Sequence, residues 1–465
     1  MIDIKFNELL EKFDEKKTPI NFDFRTKIIN EISNHYKDGK KYLHYIHRYP
    51  GRVAPHIPFA LLSLKDFKKL DGIVLDPFAG TGTVLLESIA NPFIRRNAYG
   101  VEINPLARLI SKTKTTCYNL NDLSEGFNKI QKTYLSLTKH DFENTEFLNI
   151  DLWFSKYTIK NLSKLKSAIE VQEFNDDIKD FFWVCFSKIV RKVSFADSRI
   201  PPPVVLKPEK YKKNKLVYKK LLQYLNYAQK PNIWKQFEQA FVENSKLASY
   251  NGQDLLYKDK ITARIISDDA MDLKLKKLKG LGSFNISKNK LLPHDSIDLV
   301  ITSPPYLTAQ KYIRSVKLEL LWLGFKQSEL AAFEKSTVGT EYVTGEINIK
   351  EFFVEDIDTL INWTNKKSAG RASMVFKYFD SMKIVLQELF RVLKSNSYAI
   401  FIMGDNTILN RKVNTYDLLS SLAKSIGFEE VLILKDLIRN RSMITSRNGT
   451  GGLIKNEYII ILKKQ

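Results

Sequence analysis

Cysteine is nearly missing from this chain: 465 residues carry two, Cys117 and Cys185. They stand far apart and outside any metal-ligand spacing, which excludes a disulfide scaffold and a cysteine zinc site. Long apolar runs are also absent. No uninterrupted stretch reaches the roughly 18 to 20 residues that a membrane span requires. The N-terminal MIDIKFNELLEKFDEKK is amphipathic and charged, without the apolar core and small-residue cleavage site of a signal peptide. The expectation is a cytoplasmic protein with no membrane partner and no metal. Acidic residues are in deficit as well, 52 against 73 Lys and Arg, a formal charge of +21. Such a surplus favours a polyanionic partner, because each phosphate contact releases condensed counterions. No repeat of 20–50 residues is present.

What is there is an ordinary globular composition, 44% hydrophobic and 12% aromatic. The length suits one core with a large insertion or a second domain. Strand signals come in two blocks. GIVLD (72–76), a helical VLLESIA (84–90) and NAYGVEI (97–103) make a β-α-β unit and imply a parallel sheet. Strands resume at ARIIS (263–267), IDLVITS (297–303), YAIFIMG (398–404), EEVLILKDLI (429–438) and NEYIIILKK (456–464), with helical patterns at 374–394 and 415–428. The spacing predicts an α/β, seven-stranded, doubly wound Rossmann-like sheet. Residues 118–260 read as a mostly helical inserted subdomain with 3.6-residue periodicity, broken by PPP at 201–203. Trp153, Phe154 and the aromatics at 181–183 read as core. The basic run 207–220 reads, on its own, as a solvated lysine-rich face.

Two turns carry the chemistry. In the first, Asp76 to Thr83 is DPFAGTGT, directly after the first strand. Gly80 and Gly82 permit a tight turn and close ligand approach, and the helix that follows offers its N-terminal amides to a negative group. The pattern is neither the Walker loop nor the full dinucleotide fingerprint, and no lysine follows to hold a triphosphate. A carboxylate-bearing ligand such as methionine fits better than ATP. The second strand ends at Glu102, where such folds hold a ribose diol. Together the two elements point to a nucleoside cofactor. After the third strand, Asp268 or Asp269 either accepts from an adenine amino group or caps a following helix.

The second turn is Thr302-Ser303-Pro304-Pro305-Tyr306, at the end of the fourth strand. Two prolines remove backbone donors and stiffen the loop. The Ser303 hydroxyl and Pro304 carbonyl remain as acceptors beside an aromatic ring. An exocyclic amine is a poor nucleophile because its lone pair is delocalised. Acceptors on its N–H groups return density to nitrogen, and Tyr306 is placed to stack on a base flipped from the duplex. Neither cysteine lies in a Pro-Cys turn at a strand end, so covalent chemistry at cytosine C5 is rejected.

These motifs resemble those of the DNA amino-methyltransferases, especially the cytosine-N4 branch. DPFAGTGTVLLESI is similar to that family's cofactor loop, YGVEINPLA to its ribose motif, and TSPPY with YIRSVKLELLWLG to its catalytic motif and following helix. HRYPGRVAPHIP (47–58) resembles the segment closing over the methionine end. RVLKSNSYAIFIMGDN and the terminal RNRSMITSRN…NEYIIILKK resemble later motifs. The resemblance covers 41–117 and 261–465. It implies S-adenosyl-L-methionine as cofactor, with Asp76, Phe78, Gly80 and Gly82 around its methionine part, Glu102 at the ribose and Asp269 at the adenine. Ser303, Pro304, Pro305 and Tyr306 would handle the target base of double-stranded DNA.

Residues 1–70 would then be an N-terminal extension with the closing segment, 71–117 and 261–465 the catalytic domain, and 118–260 a candidate target-recognition insertion. The alternative reader is the loop 333–350. A restriction-modification context with a cognate restriction enzyme is implied. Ser303 favours cytosine N4 over adenine N6. An RNA guanine-N2 methyltransferase has a similar glycine loop but usually begins its catalytic turn with Asp or Asn. A DNA-binding protein that lost catalysis would not need Gly80, Gly82, Ser303 and Tyr306 intact.

Overall fold

The structure is a computed structural model. It describes residues 5–36, 43–67, 72–138, 147–250, 261–278, 280–284, 289–307, 311–340, 350–438 and 455–465. Its frame is a sheet of strands β1 (Ile20–Asn21), β2 (Ile73–Asp76), β3 (Asn97–Val101), β4 (Ala263–Ser267), β5 (Ile297–Thr302), β6 (Leu393–Gly404), β7 (Phe428–Leu437) and β8 (Asn456–Lys464). Their order is β1-β7-β8-β6-β5-β2-β3-β4. β8 runs antiparallel to both β7 and β6, and the other pairs are parallel.

The seven expected strands are present, but the sheet has eight. The added β1 comes from the N-terminal extension and pairs with the edge of β7, Ile20 opposite Leu434. Two residues carry too little pattern for alternation to register. The sheet is therefore mixed at one end, because its last strand returns as a hairpin from β7 and needs no crossover.

From β2 the chain runs outward through β3 and β4. From β5 it runs the other way, through β6. The direction reverses between the neighbouring strands β2 and β5, which is where open α/β sheets place a ligand crevice. The burial pattern explains the strands: Val74, Leu75, Val300 and Ile301 are fully buried, as expected of strands covered on both faces. Helices α1 (Phe6–Lys16), α2 (Ile29–His35), α3 (His56–Leu62) and α4 (Thr83–Ala90) come from the first third of the chain.

The extension is held by one buried carboxylate. Glu87 on α4 sits 3.0 Å from His35 Nε2 and 2.7 Å from His44 Nε2, and the Tyr36 hydroxyl donates to it at 3.0 Å. Burial pushes its carboxyl up, but the histidine hydrogen bonds outweigh this and hold its pKa below the usual range.

Between β3 and β4 lies the helical segment: α5 (Pro105–Thr115), α6 (Leu120–Ser136), α7 (Lys156–Glu170), α8 (Asp176–Val190), α9 (Lys215–Gln229) and α10 (Ile233–Tyr250). Local sequence starts these helices. The side chains of Asn119, Ser155, Asn175 and Asn214 each accept from a first-turn amide of α6, α7, α8 and α9. Their apolar faces form a second core around Phe181, Phe182 and Phe237, with Phe127 stacked on Phe241 at 4.2 Å. Phe154 and Trp183 are buried there too, and Trp153 packs against it partly buried. This core is shared with α5 and with α11 (Lys317–Trp322), whose Trp322 is fully buried in it. Further along come α12 (Gln327–Ser336), α13 (Glu355–Asn365), α14 (Ala369–Val392) and α15 (Thr415–Ile426). Among the described residues, no helix is long and apolar enough to cross a membrane.

Candidate functional site

A cleft of about 730 Å³ opens at the carboxyl ends of β2, β3, β4 and β5. Pro77, Phe78 and Gly80 line it after β2, Glu102 to Asn104 after β3, Asp268 to Ala270 after β4, and Ser303 and Pro305 after β5. Residues separated by more than two hundred positions thus converge because four parallel strands end side by side.

The first turn is built backward from β3. The Ala79 amide donates to Val101 O (2.9 Å), and the Gly82 amide closes on Ala79 O (2.7 Å). Gly80 and Gly82 both have left-handed φ, +51° and +71°. Their surroundings differ. A Cβ on Gly80 would meet nothing within 4 Å, and Gly80 faces the cleft. A Cβ on Gly82 would lie 2.2 Å from Ser111 Oγ on α5. Gly80 is therefore the cleft glycine, whereas Gly82 permits two helices to pack.

Asp76 is 3% exposed. Thr302 Oγ1 donates to its Oδ1 at 2.6 Å and the Phe78 amide at 3.1 Å. Burial dominates these donors and pushes its pKa up to about 7. Glu102 accepts from the Asn104 amide at 2.7 Å, and burial raises it to about 6. Asn104 donates from Nδ2 to the Tyr49 hydroxyl at 2.9 Å, which ties the upstream RYPG segment to the end of β3. Tyr49 and Gly51 line the cleft.

Asp268 pairs with Lys276 at 2.6 Å. Asp269 accepts from the Met271 amide at 2.9 Å. The helix-capping alternative for these residues does not hold, because a two-residue strand at Lys274–Leu275 follows and not a helix. Asp269 is exposed on the cleft wall.

Ser303 and Pro305 line the cleft, and Pro304 is buried behind them. Tyr306 is placed otherwise than the sequence suggests. Its ring packs, partly buried, against the main core, and it does not line the cleft. The tyrosines on the cleft wall are Tyr49 and Tyr312. Sequence reasoning missed Thr302 as the donor to Asp76, Tyr312, and Ser336 to Val338 on the far wall. Tyr49 had a signal, since it lies within the closing segment. Tyr312 had none beyond its place after the second turn. Of the loop 333–350, residues 341–349 lie outside the described residues, as does the terminal RNRSMITSRN at 439–448.

Neither cysteine lines the cleft. Burial pushes the Cys117 thiol up to about 11 and the Cys185 thiol up to about 12, so both are poor thiolates. Among the described residues, no group of three or more His, Cys, Asp or Glu is placed to hold a metal ion.

Asp76 gives a pH signature. Its folded pKa is raised from 3.8 to about 7, so the folded state holds its proton more tightly than the unfolded chain. That stability is fully present below pH 3.8 and is lost as pH rises through about 7. Asp76→Asn keeps the Oδ1 acceptor and removes the ionisation. The stability difference between variant and wild type should grow by about 2–3 kcal/mol from pH 5 to pH 8 in the variant's favour. Thermal denaturation of both proteins across this range measures it. Glu319 and Glu457, also raised by burial, are common to both and cancel. A difference that stays constant with pH contradicts the assignment.

No protein-family model matches the chain. Individual proteins do, over nearly its whole length. It is 24% identical over 480 residues to the type II methyltransferase M.MvaI of Kocuria varians, covering 94% of this chain and 96% of that one. It is 23% identical over 499 residues to the type II methyltransferase M.AvaI of Nostoc sp., covering 98% and 93%. A third, the type II methyltransferase M.BsoBI of Geobacillus stearothermophilus, is 23% identical over 505 residues, covering 97% and 92%. The chain is a distant, full-length homologue of type II methyltransferases.

Proposed function

We propose that this protein is the modification enzyme of a type II restriction-modification system, acting on double-stranded DNA. It transfers a methyl group from S-adenosyl-L-methionine to the exocyclic N4 of a flipped cytosine. The observation that carries the reading is the convergence of the Asp76–Gly80 turn, Glu102, Asp269 and Ser303–Pro305 on one cleft at the reversal point of the sheet. The full-length similarity to type II methyltransferases supports it.

The residues suit this cofactor. Gly80 leaves open space where any other residue would project a Cβ. Asp76 and Glu102 are carboxylates that burial has made reluctant to ionise. A cationic ligand offsets that cost, and S-adenosyl-L-methionine carries a sulfonium and an ammonium. When bound it supplies an electrophilic methyl group. Asp76, Phe78 and Gly80 surround the methionine end, with Gly82 supporting the turn from behind. Glu102 accepts from the ribose hydroxyls, and Asp269 from the adenine amino group.

On the other wall, Ser303 Oγ and the Pro304 carbonyl accept from the N–H groups of the target amine and orient its nitrogen. Pro305 stiffens the turn, and Tyr306 anchors it against the main core. Alignment of nucleophile and electrophile then accounts for the catalysis.

Nucleoside mass spectrometry of DNA from cells expressing the protein tests the reading, with N4-methylcytosine the expected product. N6-methyladenine would replace the base but keep the enzyme class. 5-Methylcytosine would overturn the mechanism, and unmodified DNA with methylated RNA would overturn the substrate.

A further inference from the structure

The lysine run 207–220 carries seven lysines and one acid, Glu209. It covers a short 3-10 turn at Pro208–Tyr211 and the first turns of α9. All seven lysines are exposed, and none of them forms an ion pair with a described residue. Elsewhere in the same helical segment lysines do find acids. Lys112 lies 2.8 Å from Asp180 and 3.0 Å from Asp177, and Lys188 lies 2.9 Å from Glu243. A solvated face would intersperse acids to relieve self-repulsion. This one concentrates cations that meet no acid among the described residues.

The helix beneath them is anchored along one stripe, where Val217, Leu221, Tyr224 and Leu225 are half-buried and Ala228 is buried, and other apolar side chains are left open. Leu216 is 76% exposed, Leu222 42% and Tyr227 37%. Lysine is depleted at protein–protein interfaces, and a row of unpaired cations suits a phosphate backbone.

The platform is nonetheless fixed, and it is fixed to the cleft. Tyr224 on α9 donates to Ser194 O at 2.8 Å, and Ser155 Oγ to Gln229 O at 2.6 Å. The Arg199 guanidinium stacks over Tyr211 at 4.2 Å. Arg191, at the end of α8, donates to the carbonyls of Asp197, Ile200 and Pro201 in the connecting loop. The same guanidinium donates to Ser315 O at 3.2 Å, three residues beyond the cleft tyrosine Tyr312.

We infer that the 207–220 turn and α9 form a DNA-docking platform that binds the phosphate backbone of the target duplex, positioned against the cleft through Arg191. The inference rests on the methyltransferase reading and adds where the duplex lies.

The experiment uses the full-length quadruple variant K212Q/K213Q/K219Q/K220Q. DNA affinity is titrated against salt, and S-adenosyl-L-methionine binding is measured in parallel. Four lost phosphate contacts should lower the log–log salt slope by about 3–4, at roughly 0.9 per contact. Between 50 and 200 mM salt the wild type should then lose about a hundredfold more affinity than the variant. Cofactor binding and turnover at saturating DNA should persist. A second variant, K12Q/K16Q on α1, should leave the slope within about one of wild type, because those lysines lie on the helix of the N-terminal extension.

An unchanged slope in the quadruple variant, with wild-type DNA binding intact, overturns the platform and leaves the enzyme reading standing. A lysine-dependent dimer with an unchanged slope assigns the face to a second copy and also overturns it. If the wild type neither binds nor methylates DNA, the reading beneath the inference falls first.

Discussion

Gly82→Ala should destabilise the protein by about 2–5 kcal/mol, while Gly80→Ala should cost only about 1–2 kcal/mol and instead weaken cofactor binding. Both glycines have left-handed φ, so each alanine incurs the same backbone strain. The difference lies in what the new methyl meets. At Gly82 it would sit 2.2 Å from Ser111 Oγ and 3.2 Å from Ser111 Cα, where α4 crosses α5. The helices must part, and they carry the Asp76–Gly82 turn and the start of the helical segment. At Gly80 the methyl enters open space on the cleft wall.

Thermal denaturation and calorimetry with S-adenosyl-L-methionine separate the two. For Gly80→Ala the affinity should fall about tenfold or more, equivalent to about 1.4 kcal/mol. Ser111→Ala supplies a control. The Ser111 hydroxyl is buried with no hydrogen-bond partner among the described residues, so its removal should cost little alone. It should also relieve part of the Gly82→Ala penalty, making the pair non-additive. Equal stability losses at the two glycines, or strict additivity with Ser111→Ala, would contradict this division of roles.

That division was not legible in the sequence, where G-T-G reads as one ligand loop. A motif shows that two positions need left-handed φ or small size. It does not show which neighbour imposes the demand, and Ser111 is 29 positions away on another helix. The same holds for Thr302, which looks like the last residue of an alternating strand until the fold brings it beside Asp76. The positions of the longer strands were legible because short apolar runs ending in Gly, Glu, Asp or Ser recur at crossover spacing. β1 was not, since two residues pairing with an edge leave no periodicity. Tyr306 shows what a motif leaves open: its place suggested a ring beside the target base, and the turn packs that ring, partly buried, against the main core. For the lysine run, the solvated face read from composition agrees with the exposure of all seven lysines, and what the fold adds is that none of them pairs with a described acid.

Ser303→Ala should lower turnover by about a hundredfold and leave S-adenosyl-L-methionine affinity nearly unchanged. Successive side chains point to opposite sides of a strand. Thr302 is fully buried and donates to Asp76, whereas Ser303, one residue on, lines the cleft. Adjacent residues are thereby assigned to different halves of the site. Thr302→Val removes a donor from a buried carboxyl group, which should raise the Asp76 pKa further and weaken cofactor binding first. On the proposed mechanism, Ser303→Ala removes an acceptor from the amine, whose nitrogen then loses orientation and electron density together. Its effect should appear in kcat with cofactor Kd unmoved, and the small residual product should still be N4-methylcytosine. Replacing Cys117 and Cys185 together should leave methylation largely in place, since burial holds both thiols protonated and neither faces the cleft. The deciding result is the split between the two neighbours. If Ser303→Ala weakens cofactor binding as much as Thr302→Val does, Ser303 belongs to the cofactor wall and the acceptor for the target amine must be sought elsewhere.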